Sequence, residues 1–221
     1  LTILFDTGLL AYAAPELAEL HGVEFVDGQH HKDQLAHSLQ VTDQVAVLTE
    51  KPMLRLAAML HDVGKAPSKR FKKGRGWTFD GHEVVGAKMI TKLGARLRLD
   101  KESIKYIRKL IRWHLRPQVV TAEGVTDSAV RRIIVNMGDD LSDLILLYRA
   151  DITTQNPRKL KRREKDYETL MDRIEEVRER DRLAAFQSPV RGEEIMKICG
   201  LTAGPKVGET KEAIEEAILE G

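Results

Sequence analysis

A single cysteine, Cys199, stands among 221 residues. That excludes an intramolecular disulfide and any zinc site built on cysteine sulfur, and it fits a reducing compartment. No apolar run reaches the ~18 residues needed to span a bilayer. The apolar-looking first twenty positions are interrupted by Asp6, Pro15, Glu16 and Glu19, and no signal-peptide layout follows. A cytoplasmic protein with no membrane partner is therefore expected. Net charge is also small: 36 Lys and Arg against 34 Asp and Glu leave +2, too little by itself to demand a nucleic-acid partner. Aromatics amount to only 5%, and neither repeats nor strand-like alternation stand out.

What is there is Leu, Ala, Ile, Glu, Lys and Arg, a mixture that favours helix. With 42% hydrophobic and 32% charged residues, the chain reads as an ordinary globular protein. Its length allows one large domain, or one domain with a small appendage. It opens on Leu1 rather than Met, as an internal piece of a longer protein would.

Residues 1–20 read as one or two short helices with Pro15 at a helix start, followed by a connector over 22–31. His21, His30 and His31 lie in or beside that connector and are expected to be solvated. Helical spacing then predicts a helix over about 33–48 with Val41, Val45 and Leu48 on its apolar stripe. A second starts at Lys51-Pro52 and is terminated by Gly64 and Pro67. Others follow over about 82–97 (Val85, Met89, Ile90, Leu93 and Leu97 inward), 101–115 (Ile104, Ile107 and Ile111), 127–137 and 142–152 (Leu144, Leu147 and Tyr148). A long charged helix runs to about Ala185, Ser188-Pro189 breaks it, and two helices close the chain. The fold class expected is all-α.

The chain is organised around Leu56-Ala57-Ala58-Met59-Leu60-His61-Asp62-Val63-Gly64-Lys65. His61 shares a face with Ala57 and Ala58, so it points inward, where an unpaired imidazole or carboxylate costs several kcal/mol or shifts its pKa. A backbone carbonyl can satisfy such a histidine; so can a metal ion. The other helices repeat the pattern. His37 lies four residues before Val41, His82 three before Val85 and His114 three after Ile111, while Asp151 continues the stripe of Leu144, Leu147 and Tyr148. Five helices each offering an inward ligand type make a shared metal site the better reading, since helix bundles build such sites from facing helices. Nitrogen and oxygen donors without sulfur suit several divalent metals. Four histidines and two aspartates can complete two metals bridged by one carboxylate, an arrangement that clamps phosphate and activates water.

His37, His61-Asp62 and Asp151 match in order the H…HD…D motif, so the sequence resembles the HD phosphohydrolase superfamily. The resemblance implies that these four residues hold a first metal. It also implies that His82 and His114, like the extra histidines of two-metal members, hold a second, with Asp62 bridging. The expected cofactor is one or two divalent ions (nickel, manganese, iron, cobalt, zinc or magnesium). A closer similarity, to the HD portion of bacterial CCA-adding enzymes, covers almost the whole chain. It rests on His31-Lys32-Asp33, His37 to Val41, Leu54 to Lys65, Phe79 to Glu83, Thr126 to Arg132, Arg149-Ala150-Asp151, Pro189 to Met196 and Gly204 to Gly208. That family's nucleotidyltransferase head has no counterpart here, so no nucleotide addition is expected of this chain alone. The implied architecture is an HD helical bundle over 1–160 with a helical, RNA-contacting extension over 161–221.

Two functions follow. As an enzyme, the chain would be a metal-dependent phosphatase or 2′,3′-cyclic phosphodiesterase acting on nucleotide or RNA-end phosphates. His61 and Asp62 would sit at the reaction centre, with Lys65 neutralising the leaving phosphate. Glu83, turned about 100° from His82 on its helix, is not expected to take part. As a non-catalytic module, the chain would hold tRNA through two basic clusters. One is an irregular loop carrying Lys69, Arg70, Lys72, Lys73 and Arg75; the other holds Arg158, Lys159, Lys161, Arg162, Arg163 and Lys165. Phe71 alone interleaves an aromatic ring, which gives base stacking little support. Solvated surface is the plain alternative for both clusters.

Overall fold

The structure, a computed structural model, describes residues 2–121, 126–185 and 190–220; the Ser188-Pro189 helix break lies outside them. The described chain is mostly helical. Its elements are α1 (Thr2–Asp6), α2 (Leu10–Ala13), α3 (Pro15–Ala18), β1 (Phe25–Val26), β2 (Gln29–His30), α4 (Gln34–Leu48), α5 (Pro52–Leu60), α6 (Lys65–Ser68), β3 (Arg70–Lys72) and β4 (Gly76–Thr78). There follow α7 (His82–Arg96), α8 (Lys101–Trp113), α9 (Arg116–Val120), α10 (Asp127–Met137), a 3₁₀ turn (Gly138–Asp140), α11 (Leu141–Ala150), α12 (Pro157–Ala185), α13 (Gly192–Cys199) and α14 (Pro205–Glu220). Two compact units divide the chain, Leu1–Glu175 and Glu176–Gly221. None of the described helices is long and apolar enough to cross a membrane.

The first unit is a bundle in which α4 packs on α5 and α11, α5 on α8, and α8 on α7. Local chemistry sets the helix starts. Asp33 accepts a hydrogen bond from the Ala36 amide at 2.9 Å to cap α4, and Asp100 does the same for α8 through Ser103. Pro15 and Pro52 sit in the first turns of α3 and α5, where the missing N–H costs nothing. The apolar stripes meet in a core of Val41, Val45, Leu54, Leu60, Ile90, Leu93, Ile107, Ile111, Leu144 and Leu147, all essentially inaccessible to water. Each fully buried side chain of this size contributes roughly 1.5–3 kcal/mol of burial. The stripe ends are looser, with Leu48 and Leu97 exposed. In the second unit α13 packs on α14. There the Arg191 amide donates to Glu194 Oε2 at 2.9 Å, and left-handed Gly200 ends α13.

Three expectations need correction. The connector and the basic loop each contain a small antiparallel hairpin, β1–β2 and β3–β4. Strands of two or three residues are too short to leave a readable alternation. The second hairpin is held by Phe71 against Trp77 across the strands, ring centroids 5.4 Å apart. His31 is buried rather than solvated: its Nε2 accepts the Glu24 amide, its Nδ1 lies 2.9 Å from the Lys32 carbonyl, and Trp77 and Phe79 meet its ring edge-on. His21 and His30 are exposed.

The third concerns Gly64 and Pro67. α5 already ends at Leu60, and Pro67 lies inside α6. Gly64 has an ordinary right-handed backbone; what demands glycine is proximity to α7. A Cβ at Gly64 would stand 2.0 Å from the His82 carbonyl oxygen and 2.6 Å from the Gly86 nitrogen. Backbone therefore touches backbone where the His-Asp turn meets α7. Gly64→Ala is expected to destabilise by about 3 kcal/mol, seen in thermal melts as a fall in Tm of roughly 6–12 °C for a domain of this size. An unchanged Tm would show that the two segments separate at no cost.

Candidate metal centre

The six inward residues meet at one end of the bundle because each occupies a helix end. His61, His114 and Asp151 are the C-terminal caps of α5, α8 and α11; His37 is in the first turn of α4, and His82 begins α7 after left-handed Gly81. A helix C-terminus leaves carbonyl oxygens without an intrahelical partner. His61 Nδ1–H donates to Ala58 O at 2.6 Å and His114 Nδ1–H to Ile111 O at 2.7 Å, each three residues back, and His82 Nδ1–H donates to Phe79 O at 2.8 Å. The backbone carbonyl that would satisfy an ordinary buried histidine is thus present. It consumes only Nδ1 and turns Nε2 toward the centre, as metal-ligating imidazoles are oriented. His37 differs, its Nδ1 lying 3.2 Å from Thr153 Oγ1. Three converging C-termini also add negative dipole ends, which favour a cation.

At the centre lies Asp62, 1% exposed. Its Oδ2 faces His61 Nε2 at 3.2 Å and His37 Nε2 at 3.6 Å; its Oδ1 faces His82 Nε2 at 3.3 Å and His114 Nε2 at 3.8 Å. Asp151 Oδ1 completes the first side, 3.0 Å from His37 Nε2 and 3.6 Å from His61 Nε2. Two groups result, His37 with His61 and Asp151, and Asp62 with His82 and His114. Within each, the ligand atoms lie within 4.8 Å of one another, close enough to hold an ion.

Two observations fit a cation here. His61 Nε2 and Asp62 Oδ2 are buried and make no well-formed hydrogen bond, although Lys65 Nζ stands 2.6 Å from Asp62 Oδ2 and Asp151 Oδ1 3.6 Å from His61 Nε2; buried polar atoms of this kind are usually completed by an ion or water. Burial works against charge on His61, yet the Asp62 and Asp151 carboxylates outweigh it and push its pKa up to about 10. Burial also opposes the Asp62 charge, but His61 and Lys65 hold that carboxyl well below its usual range. Burial opposes charge on Asp151 too, yet the neighbouring His37 and His61 imidazoles lower its pKa. His114 is driven down to about 4, first by burial and then by the charge on His61. The two carboxylates thus retain positive charge between them, and a metal ion satisfies the same need while leaving the imidazoles neutral.

Residues 35–156 match the model of the HD domain. The chain belongs to the HD domain family. It is homologous over its whole length to the HD-containing region of CCA-adding tRNA nucleotidyltransferases. It is 32% identical over 216 residues to an A-adding tRNA nucleotidyltransferase of Deinococcus radiodurans, covering 95% of this chain and 48% of that protein. Against a CC-adding tRNA nucleotidyltransferase of Thermus thermophilus it is 35% identical over 226 residues, covering 100% and 49%. A multifunctional CCA protein of Methylococcus capsulatus is 35% identical over 114 residues, covering 50% and 26%. The chain spans about half the length of the first two relatives.

Around this HD centre the basic residues separate. Lys65 Nζ lies 2.6 Å from Asp62 Oδ2 and 3.0 Å from Gln34 Oε1. Lys69 pairs with Glu24, Lys72 with Asp80 at 2.7 Å and Arg75 with Asp80 at 3.9 Å, while Arg70 donates to the carbonyls of Pro67 and Lys69. Lys73 is exposed. On α12, Arg158, Lys159, Lys161 and Arg162 are exposed, whereas Arg163 lines a cavity that reaches His37 and Asp151. Glu83 pairs with Arg112 at 3.5 Å, away from the centre. Sequence reasoning missed Gln34 and Thr153. Gln34 could have been found, since it precedes His37 by one helical turn; nothing local marks Thr153.

The shared carboxylate leads to an ordered loss of ions in elemental analysis. Wild type is expected to carry two divalent ions per chain, His82→Ala or His114→Ala one, and Asp62→Ala none. Equal stoichiometry across these variants would show that the two groups do not share Asp62.

Proposed function

We propose that this protein is a metal-dependent phosphohydrolase acting on nucleotide or RNA-end phosphates, of phosphatase or 2′,3′-cyclic phosphodiesterase type. One observation carries the reading: a buried carboxylate divides its two oxygens between two histidine groups whose remaining nitrogens are aimed at the same space. His37, His61, Asp62 and Asp151 would hold one ion, and Asp62, His82 and His114 a second. When bound, a pair of divalent ions supplies Lewis acidity toward a phosphoryl oxygen and a water of lowered pKa.

The chain's own residues supply the rest. The backbone carbonyls of Ala58, Phe79 and Ile111 fix the imidazole orientations. Gln34 holds Lys65 beside Asp62, from where its ammonium can meet charge developing on the departing phosphate. Residues 1–160 would carry this chemistry and 161–221 would serve as the helical extension.

A second reading, a tRNA-holding module, is favoured by relatives named as tRNA nucleotidyltransferases over 95–100% of the chain. The internal pairing of Lys69 and Lys72 weighs against the hairpin as a phosphate track. The exposed cations Arg158, Lys159, Lys161 and Arg162 remain its best support.

Turnover of bis-p-nitrophenyl phosphate with added Mn²⁺ separates the readings. Hydrolysis should fall by more than about 100-fold in His61→Ala and Asp62→Ala, since even partners one shell out from a metal change activity 10–100-fold. Bound metal with no turnover in wild type would refute the hydrolase. Transfer-RNA binding that weakens steeply with salt, and weakens further in an Arg158→Ala, Lys159→Ala double variant, would establish the module. Salt-independent binding would count against it.

A further inference from the structure

The cavity that opens onto His37 and Asp151 has a volume of about 240 Å³ and carries three cations on its wall, Lys32, Lys65 and Arg163. Their charge states of pairing differ. Lys65 is matched by Asp62 at 2.6 Å. Among the described residues Arg163 has only a distant acid, Asp166 at 3.9 Å. With the Gln118 amide turned to satisfy both its atoms, the neutral side-chain oxygen of Gln118 accepts from both terminal guanidinium nitrogens of Arg163 at 3.1 Å. Lys32 has no ion pair among the described residues. Asp151, the acid on the cavity wall, is engaged by His37 at 3.0 Å. The wall therefore presents positive charge beyond what its own acids neutralise.

The framework under these cations is fixed. The Lys32 carbonyl accepts from Gln34 Nε2 at 2.9 Å and from the ring of buried His31 at 2.9 Å. Gln34, 8% exposed, spends its other amide atom on Lys65. Of the basic residues at the start of α12, Arg163 is the one that turns to this cavity. A volume of about 240 Å³ is small for a whole drug-sized ligand and suits a compact anionic group.

Resting on the hydrolase reading, we propose that Lys32 and Arg163 form a second anion subsite, which takes a further phosphate of the substrate beside the one engaged at the His-Asp centre. The preferred substrate then carries two phosphate groups. They are either adjacent in one phosphate chain or separated across a nucleoside as at a polynucleotide end. Arg163, oriented by Gln118 through one edge of its guanidinium, keeps its remaining N–H donors for phosphate, and Lys32 adds a point charge.

Calorimetric titration of the Mn²⁺-loaded protein with adenosine 5′-monophosphate, adenosine 5′-diphosphate and adenosine 3′,5′-bisphosphate tests this, each nucleotide being recovered and checked as intact. One of the two-phosphate nucleotides should bind at least about tenfold tighter than the monophosphate, the scale of charge-assisted hydrogen bonds. Diphosphate as the tighter ligand assigns a phosphate chain; bisphosphate assigns a neighbouring nucleotide. Lys32→Ala and Arg163→Ala should each lose most of the preference, Arg163→Lys should keep part of it, and Lys92→Ala on the exposed face of α7 should change nothing. Equal affinity for one and two phosphates in wild type overturns the proposal, as does a preference that survives in the Lys32→Ala, Arg163→Ala double variant. Turnover is read separately: preference without hydrolysis keeps the subsite and refutes the hydrolase, and hydrolysis without preference does the reverse.

Discussion

The Asp62 carboxylate is the constraint on which the site depends. Nearly inaccessible to water, it stands between imidazoles on both sides, 3.2 Å from His61 and 3.3 Å from His82. A lone buried carboxylate would be protonated or expelled. This one stays ionised because His61 and Lys65 place positive charge beside it, while imidazoles carried by four separate helices converge on its two oxygens. The packing of those helices brings the six side chains to one place, so site and fold share one geometry.

Helix ends make this possible. A residue in mid-helix has its neighbouring carbonyls already bonded, whereas the last turn leaves them open. Histidines at the ends of α5 and α8 use those carbonyls to lock their rings, and the nitrogen left over points away from the helix toward the centre. The same ends bring the backbone close, and at Gly64 the approach to the His82 carbonyl leaves no room for a side chain. The turn carrying His61 and Asp62 is thereby pressed against the helix that starts with His82. Ligand spacing across the two groups follows from a contact made of backbone atoms alone.

Charge is distributed in the same economical way. Two acids, Glu24 and Asp80, pair with Lys69, Lys72 and Arg75, so the segment that looks most basic along the chain is partly offset in space while staying cationic. Lys32, inconspicuous in the sequence, and Arg163, one of six basic residues in its cluster, end up beside the His-Asp centre. Proximity in three dimensions, rather than density along the chain, decides which charges a bound anion would meet.

Much of this protein was legible from its residues. Helical periodicity placed the long helices, and the inward phase of His37, His61, His82, His114 and Asp151 marked residues that converge with Asp62 in the two His/Asp groups, because burial of a polar group leaves a trace in the apolar stripe around it. Among the described residues the all-α expectation missed two hairpins, whose strands are too short to carry a period. Tertiary structure alone decided which histidines each Asp62 oxygen faces, that Gly64 is needed for close approach rather than for a left-handed turn, that Gln34 holds Lys65, and that Thr153 lies beside the His37 ring. It also decided which basic residues face the cavity. Periodicity reports which side of its own helix a residue occupies; distances between helices depend on how the whole core packs, and no local pattern encodes them.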